Sequence, residues 1–217
     1  MSTAAVLFDL DGTLAVSEET HQRAIDDVLR ALGIEKPAGF DQQVMGLTMR
    51  ATFEALRQQT TLALSYTQLS AAKHQAFLAR IDELHWRAGA REAMQAAQDS
   101  GHQIAVVTNS DRIVLDASLR ALGISRPDLI TVSRNDVREG KPEPEPYLRA
   151  AWLLRRHAEH CVVVEDSHAG ASAGLRAGMR VIGWPQAATG RMQFPEGVCR
   201  ADSDALWPAL KSQLDQV

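Results

Sequence analysis

The chain has 217 residues, 45% of them hydrophobic, and a formal net charge of −4 at pH 7. This length can bury one substantial core and a second small domain, and the mixed charges give no sign of a surface for nucleic acid or an anionic membrane. The apolar run at residues 4–8 is too short for a signal peptide or a membrane span, and two cysteines are too few for a disulfide framework. We therefore expect a cytoplasmic monomer that has neither nucleic acid nor a membrane as a partner.

Short apolar runs predict the strands of a parallel sheet. They lack a clear alternation of apolar and polar residues, as is typical of strands buried on both faces, and helix-like segments that end in glycine separate the later ones. The runs occupy residues 4–8, 103–107, 128–132, 161–164 and 180–183. This order of elements indicates an α/β fold with a doubly wound parallel sheet.

The stretch from Ser17 to about residue 86 breaks this rhythm, because it contains no convincing strand. Ser17 is a plausible N-cap for a helix in which Ile25 and Leu29 follow helical spacing, and a second helical pattern covers residues 67–84. Such an insertion after the first strand predicts a small helical domain over one edge of the sheet. The predicted domains are a helical cap at residues 16–86 and a core at residues 1–15 and 87–217.

Two aspartates follow the first strand in "VLFDLDGTL", where Asp9 and Asp11 lie on either side of Leu10. Residues two apart in an extended chain point to the same face, so these carboxylates are expected close together. Two anions at such a distance repel each other unless a cation or a proton intervenes. The sequence therefore has to supply a positive partner.

Polar residues also follow the later strands, at the edge where open α/β sheets bind their ligands. They are Thr108, Asn109, Lys141, Glu165 and Asp166. Mg²⁺ prefers one or two carboxylates together with substrate phosphate, while an ammonium and amide donors can neutralise phosphoryl oxygens. This set predicts Mg²⁺-dependent phosphoryl transfer, in which one aspartate attacks phosphorus and the second transfers protons.

The segments "DLDGTL", "TNS", "GKPEPEPY" and "VVVEDSHAG", in this order, resemble the four signature motifs of the haloacid dehalogenase-like superfamily. The resemblance implies that Asp9 is the nucleophile and Asp11 the general acid/base. The implied Mg²⁺ ligands are Asp9, the main-chain carbonyl of Asp11, Asp166 and, directly or indirectly, Glu165. The residues implied to bind the transferring phosphoryl group are Thr108, Asn109 and Lys141.

The inserted segment is similar to the small α-helical cap of this superfamily, as in relatives of β-phosphoglucomutase and phosphoglycolate phosphatase. By this resemblance His21 links cap closure to Asp11, Arg50 meets a distal anionic group of the substrate, and Lys73 faces the site. One departure concerns the hinge: Val16 stands where members usually carry an acidic residue after the first motif.

Several functions are compatible with this resemblance. We predict a phosphatase that acts on a small phosphorylated metabolite such as a sugar phosphate or phosphoglycolate. The alternative is a sugar phosphomutase that uses the same aspartyl phosphate, since Arg50 and Lys73 could form the second anion site that it needs. A 2-haloacid dehalogenase is disfavoured because Asp11 and Asp166 are both present, and intact motifs disfavour a binding protein that has lost catalysis.

Overall fold

A six-stranded parallel sheet lies at the centre of the computed structural model, which describes residues 4–186, 193–202 and 206–217. Its strand order is β5-β4-β1-β6-β7-β8. The strands are β1 (Ala5–Phe8), β4 (Gln103–Val107), β5 (Ile130–Val132), β6 (Cys161–Glu165), β7 (Arg180–Gly183) and β8 (Cys199–Arg200). Neighbouring strands of this sheet pair in parallel throughout, which confirms the predicted α/β fold.

Both faces of the sheet are buried, which explains the missing alternation in the strand sequences. Val6 and Phe8 of β1 pack into one apolar cluster, whereas Ala5 and Leu7 point to the opposite face and pack into another. The covering helices are α5 (Ala90–Asp99), α6 (Arg112–Ala121), α7 (Glu145–Leu153), α8 (His168–Arg176) and α9 (Leu206–Leu214). Among the described residues, no helix has both the length and the apolarity needed to cross a membrane.

The inserted segment forms four helices with an apolar core of their own. They are α1 (Glu18–Ala31), α2 (Phe40–Val44), α3 (Met49–Gln59) and α4 (Tyr66–Leu78). Ile25, Leu29, Phe53, Leu56 and Leu69 are buried together between them. The helical spacing read from Ile25 and Leu29 therefore reflects burial inside the cap rather than against the sheet.

A short antiparallel ribbon joins the cap to the core. Its strands are β2 (Ala15–Val16) and β3 (His85–Trp86), with Ala15 opposite Trp86. The expectation of no strand from Ser17 to about residue 86 misses β3, because a two-residue strand is too short to show periodicity. The domain limits at residues 16 and 86 stay a prediction.

Truncating a buried residue of the cap tests its core. Leu56→Ala should lower the free energy of unfolding by about 2–5 kcal/mol, because the fully buried side chain leaves a cavity. Leu32→Ala is the matched control, since Leu32 is 42% exposed. Urea titration measures both variants, and equal losses would show that the cap does not pack as described.

Candidate active site

Asp9 lies directly after β1, where Lys141 provides its positive partner. The Lys141 ammonium donates hydrogen bonds to Asp9 Oδ1 at 2.6 Å, to Glu165 Oε1 at 2.5 Å and to the Val107 carbonyl at 2.8 Å. All three side chains are buried. The end of β1, the end of β4 and the end of β6 are thus tied to one ammonium.

The buried carboxylates at this point outnumber Lys141, so a further cation or protons have to offset the surplus negative charge. Asp9, Glu165 and Asp166 offer ligand oxygens that all lie within 4.8 Å of one another. Burial and the neighbouring Glu165 raise the pKa values of Asp9 and Asp166, and at Asp9 Lys141 only partly opposes this rise. An all-oxygen donor set with surplus negative charge fits a hard divalent cation.

Glu165 is already saturated with hydrogen bonds from the protein. Its Oε1 accepts from Lys141 and from the Tyr147 hydroxyl at 2.7 Å, and its Oε2 accepts from the Ser167 hydroxyl at 2.9 Å and main-chain N–H at 3.3 Å. A Cβ atom on Gly170 would lie 1.7 Å from Oε1, so the first turn of α8 must carry glycine here. Glu165 therefore holds Lys141 in place, with no acceptor direction left over.

Asp166 is positioned by the loop that follows β7. Gln186 Nε2 donates to Asp166 Oδ2 at 3.0 Å. A Cβ atom on Gly12, which has φ +82°, would lie 2.1 Å from the same oxygen. The buried Arg87 donates to the carbonyls of Gly12 at 2.9 Å and Pro185 at 2.6 Å, and so joins the two loops that enclose Asp166.

Asp11 has entirely different surroundings from Asp9. Its Oδ1 accepts from the Ser17 hydroxyl at 2.8 Å and lies 3.0 Å from His21 Nε2, while its Oδ2 accepts from Thr108 at 3.0 Å and Ser110 at 2.7 Å. Burial on its own raises the pKa of Asp11, but His21 and the serine hydroxyls outweigh burial and hold this pKa below its usual value. Asp11 is therefore an anion surrounded by donors.

His21 connects Asp11 to Lys73 of the cap. Lys73 Nζ lies 2.7 Å from His21 Nδ1, and the imidazole stacks on Phe77 with 4.4 Å between ring centroids. Burial lowers the pKa of His21 and lowers that of Lys73 to about 8. Because a charged Lys73 donates to Nδ1, the ring proton is assigned to Nε2, from which it is donated to Asp11.

The Asn109 side chain joins the cap to the loop of Lys141. Its Nδ2 donates to the Gly46 carbonyl of the cap at 3.2 Å and to the Lys141 carbonyl at 3.1 Å, while its Oδ1 accepts from the Lys141 main-chain N–H at 2.8 Å. The amide is thus committed to protein groups. A contact from Asn109 to a phosphoryl group would have to come from its main chain.

A cavity of about 150 Å³ between cap and core brings most of the predicted site residues together. Those lining it are Asp9, Asp11, His21, Lys73, Thr108, Asn109, Lys141 and Asp166. Arg50 does not line it: the exposed guanidinium stacks over the Tyr66 ring at 3.7 Å from its centroid.

Several residues contribute to the site in ways that the sequence does not indicate. Ser17 was predicted as a helix N-cap, but its hydroxyl makes no capping hydrogen bond and donates to Asp11 instead. Ser110 and Tyr147 lie inside the quoted segments "TNS" and "GKPEPEPY", so the pattern contained them without indicating their roles. Gln186 lies outside every motif, and only the folded loop brings it to Asp166.

Comparisons with known proteins identify the family of this chain. A family model described as haloacid dehalogenase-like hydrolase matches residues 6–184. The putative phosphatase YhcW of Bacillus subtilis is 30% identical over 203 residues, which cover 93% of this chain and 92% of that protein. Hexitol phosphatase A of Escherichia coli is 32% identical over 184 residues, covering 84% of this chain and 83% of the enzyme.

Solved structures share the whole architecture. The crystal structure of CbbY from Rhodobacter sphaeroides in complex with phosphate has a TM-score of 0.85 and 27% identity, and the match covers 95% of this chain and 96% of CbbY. The motifs, the fold and these matches lead to one conclusion: the chain belongs to the haloacid dehalogenase-like hydrolase family.

Proposed function

We propose that the protein is a Mg²⁺-dependent phosphatase that hydrolyses a small phosphomonoester through an aspartyl phosphate on Asp9. One observation carries the proposal: Asp9 and Asp11, two residues apart, occupy opposite electrostatic surroundings. Asp9 lies among carboxylates and Lys141, whereas Asp11 lies among His21 and three hydroxyls. Paired carboxylates whose environments differ in this way are suited to different chemical roles.

In the first half-reaction the Asp9 carboxylate attacks phosphorus, and the bond from phosphorus to the leaving oxygen breaks. Asp11 gives a proton to that oxygen. That proton comes from solvent: the approach of an anionic phosphate raises the pKa of Asp11, so Asp11 takes up a proton as the substrate binds. In the second half-reaction Asp11 takes a proton from water, which attacks phosphorus and releases Asp9 and phosphate.

Lys141 and the metal have separate tasks. The Lys141 ammonium stays at Asp9 and can neutralise a phosphoryl oxygen next to it. Asp9 and Asp166 would hold Mg²⁺. Glu165, whose oxygens already accept hydrogen bonds from the protein, would instead position Lys141 and the Ser167 loop. When bound, Mg²⁺ offsets the repulsion between these carboxylates and the phosphate.

The comparisons favour hydrolysis over the mutase alternative. Relatives that cover most of this chain are named as phosphatases, including hexitol phosphatase A, and one is named pyrophosphatase PpaX of Anoxybacillus flavithermus. A mutase additionally needs a second anion site for a bisphosphate. Arg50, which was expected to contribute to such a site, stacks on Tyr66 outside the cavity.

Metal removal tests the proposal directly. Excess chelator should abolish the hydrolysis of p-nitrophenyl phosphate, and added Mg²⁺ should restore it, because Asp9 and Asp166 otherwise repel the phosphate. Ca²⁺ should inhibit, since it adopts a larger and looser coordination. Phosphate release measures the effect, and full activity in excess chelator would overturn the metal dependence.

Replacing Asp9 and replacing Asp11 should affect the formation of the phosphoenzyme differently. Asp9→Asn should form no phosphoenzyme, because the nucleophile is lost. Asp11→Asn should still form it, but about 10²–10⁴-fold more slowly with poor leaving groups than the unmodified protein. With p-nitrophenyl phosphate, whose leaving group needs no proton, this loss should be small. Rapid-quench measurement of phosphoenzyme checks both variants, and equal losses for good and poor leaving groups would contradict an acid role for Asp11.

The Lys73 ammonium should produce an alkaline limit in the pH profile. As pH rises through about 8, Lys73 loses its positive charge, its hydrogen bond to His21 weakens, and kcat/KM should fall. Lys73→Arg retains the positive charge up to high pH, so the alkaline fall in kcat/KM should move to higher pH. The test is to measure kcat/KM from pH 6 to 10 for the unmodified protein and for Lys73→Arg. If the alkaline fall occurs at the same pH in both, a group other than Lys73 causes it.

A further inference from the structure

The cap side of the cavity is largely apolar and carries carboxylates that the proposed reaction does not use. The apolar side chains lining it include Ile25, Phe40, Val44, Met45, Leu47 and Met49. Asp41 and Asp111 line the same cavity. This wall faces the part of a substrate that leaves with the alcohol oxygen, since the phosphoryl group is held at the strand ends.

Asp111 lies immediately after the Thr108 loop and directly before α6. Its side chain is only 11% exposed, and its Oδ2 lies 3.0 Å from His74 Nε2 on α4 of the cap. The hydrogen bond from His74 lowers the pKa of Asp111, so the group is an anion. It makes no capping hydrogen bond to its own helix.

The cationic side chains near this wall already have partners. Asp41 pairs with Lys36 at 2.6 Å, and Lys36 also pairs with Asp26 at 2.5 Å. Lys73 is directed to His21, and His74 is directed to Asp111. Among the described residues that line the cavity there is no arginine.

We propose that Asp111 selects against substrates whose leaving group carries a second anionic group, so that the enzyme prefers monophosphates of uncharged polyhydroxy compounds. The inference rests on the proposed phosphatase function. A second anion in this partly buried space would be repelled by Asp111, and repulsion is strong where water is displaced. Hydroxyl groups, in contrast, can donate hydrogen bonds to carboxylates, while their carbon chain packs on the apolar residues.

A matched pair of substrates tests the selection. D-glucitol 6-phosphate and 6-phospho-D-gluconate differ only at the end of the chain remote from the phosphate, where one has a hydroxymethyl group and the other a carboxylate. The unmodified protein with Mg²⁺ should favour glucitol 6-phosphate by at least about tenfold in kcat/KM. Equal values, or a preference for the carboxylate, would overturn the proposal. If neither compound turns over, their inhibition constants against p-nitrophenyl phosphate hydrolysis are compared by the same criterion.

Variants then assign the selection to Asp111. Asp111→Asn keeps the size of the side chain and removes its charge, so the preference should fall at least about fivefold. His74→Gln removes the potential positive charge but keeps the carboxylate, so the preference should stay or increase. If Asp111 and His74 merely bridge cap and core, each variant should change kcat/KM for both substrates by the same factor. The preference would then be unaltered, which would overturn the proposal.

Two further variants serve as controls. Asp116→Asn makes the same chemical change on α6 at a side chain that is 42% exposed and outside the cavity, and should not alter the preference. Arg50→Ala should change kcat/KM for both substrates by the same factor, because Arg50 stacks on Tyr66 and does not line the cavity. A loss confined to phosphogluconate would show that Arg50 enters the site as a second-anion ligand, and the proposal would fall. Absence of Mg²⁺-dependent p-nitrophenyl phosphate hydrolysis would instead contradict the phosphatase function itself.

Discussion

Lys141 places its ammonium between the carboxylates of Asp9 and Glu165 in a part of the protein that is almost closed to water. Burying an ion pair is costly, and the cost is offset only where every donor and acceptor has a partner. The surroundings meet this condition with Tyr147, Ser167 and the Val107 carbonyl. Much of the local sequence therefore serves to keep one cation fixed among surplus negative charge, which leaves that charge available to a divalent cation.

The second requirement is that Asp11 have hydrogen-bond donors of its own, distinct from Lys141, although it is close to Asp9 in sequence. Gly12 ends the extended conformation after Asp11, and hydroxyls from β2 and β4 loops together with His21 surround the carboxylate. Since His21 and Lys73 belong to the inserted helices α1 and α4, the contact of Asp11 with His21 exists only when these helices lie on the core. Asp9, Lys141, Glu165 and Asp166, in contrast, all belong to the core.

The sequence is informative where a residue's role follows from its own position along the chain. Apolar runs indicated the central strands, and strand ends indicated Asp9, Lys141 and Asp166, because parallel strands bring their ends to one edge. Roles that depend on how distant segments pack could not be inferred in this way. Arg50 stacks on an aromatic ring of another cap helix, and Gln186 reaches Asp166 from a loop without a motif. The ribbon strand β3 is too short for any periodicity to predict it.

The antiparallel ribbon of β2 and β3 has a consequence for how such a protein can change. Paired residues in antiparallel strands have Cα atoms about 4.5–5.5 Å apart, so the chain leaves the core and returns to it at nearly the same point. The inserted helices therefore form a loop between two adjacent points of the core, and they have an apolar cluster of their own. Residues between the two ribbon strands can therefore be exchanged or remodelled as one block, while the loops that carry Asp9, Lys141 and Asp166 keep their register.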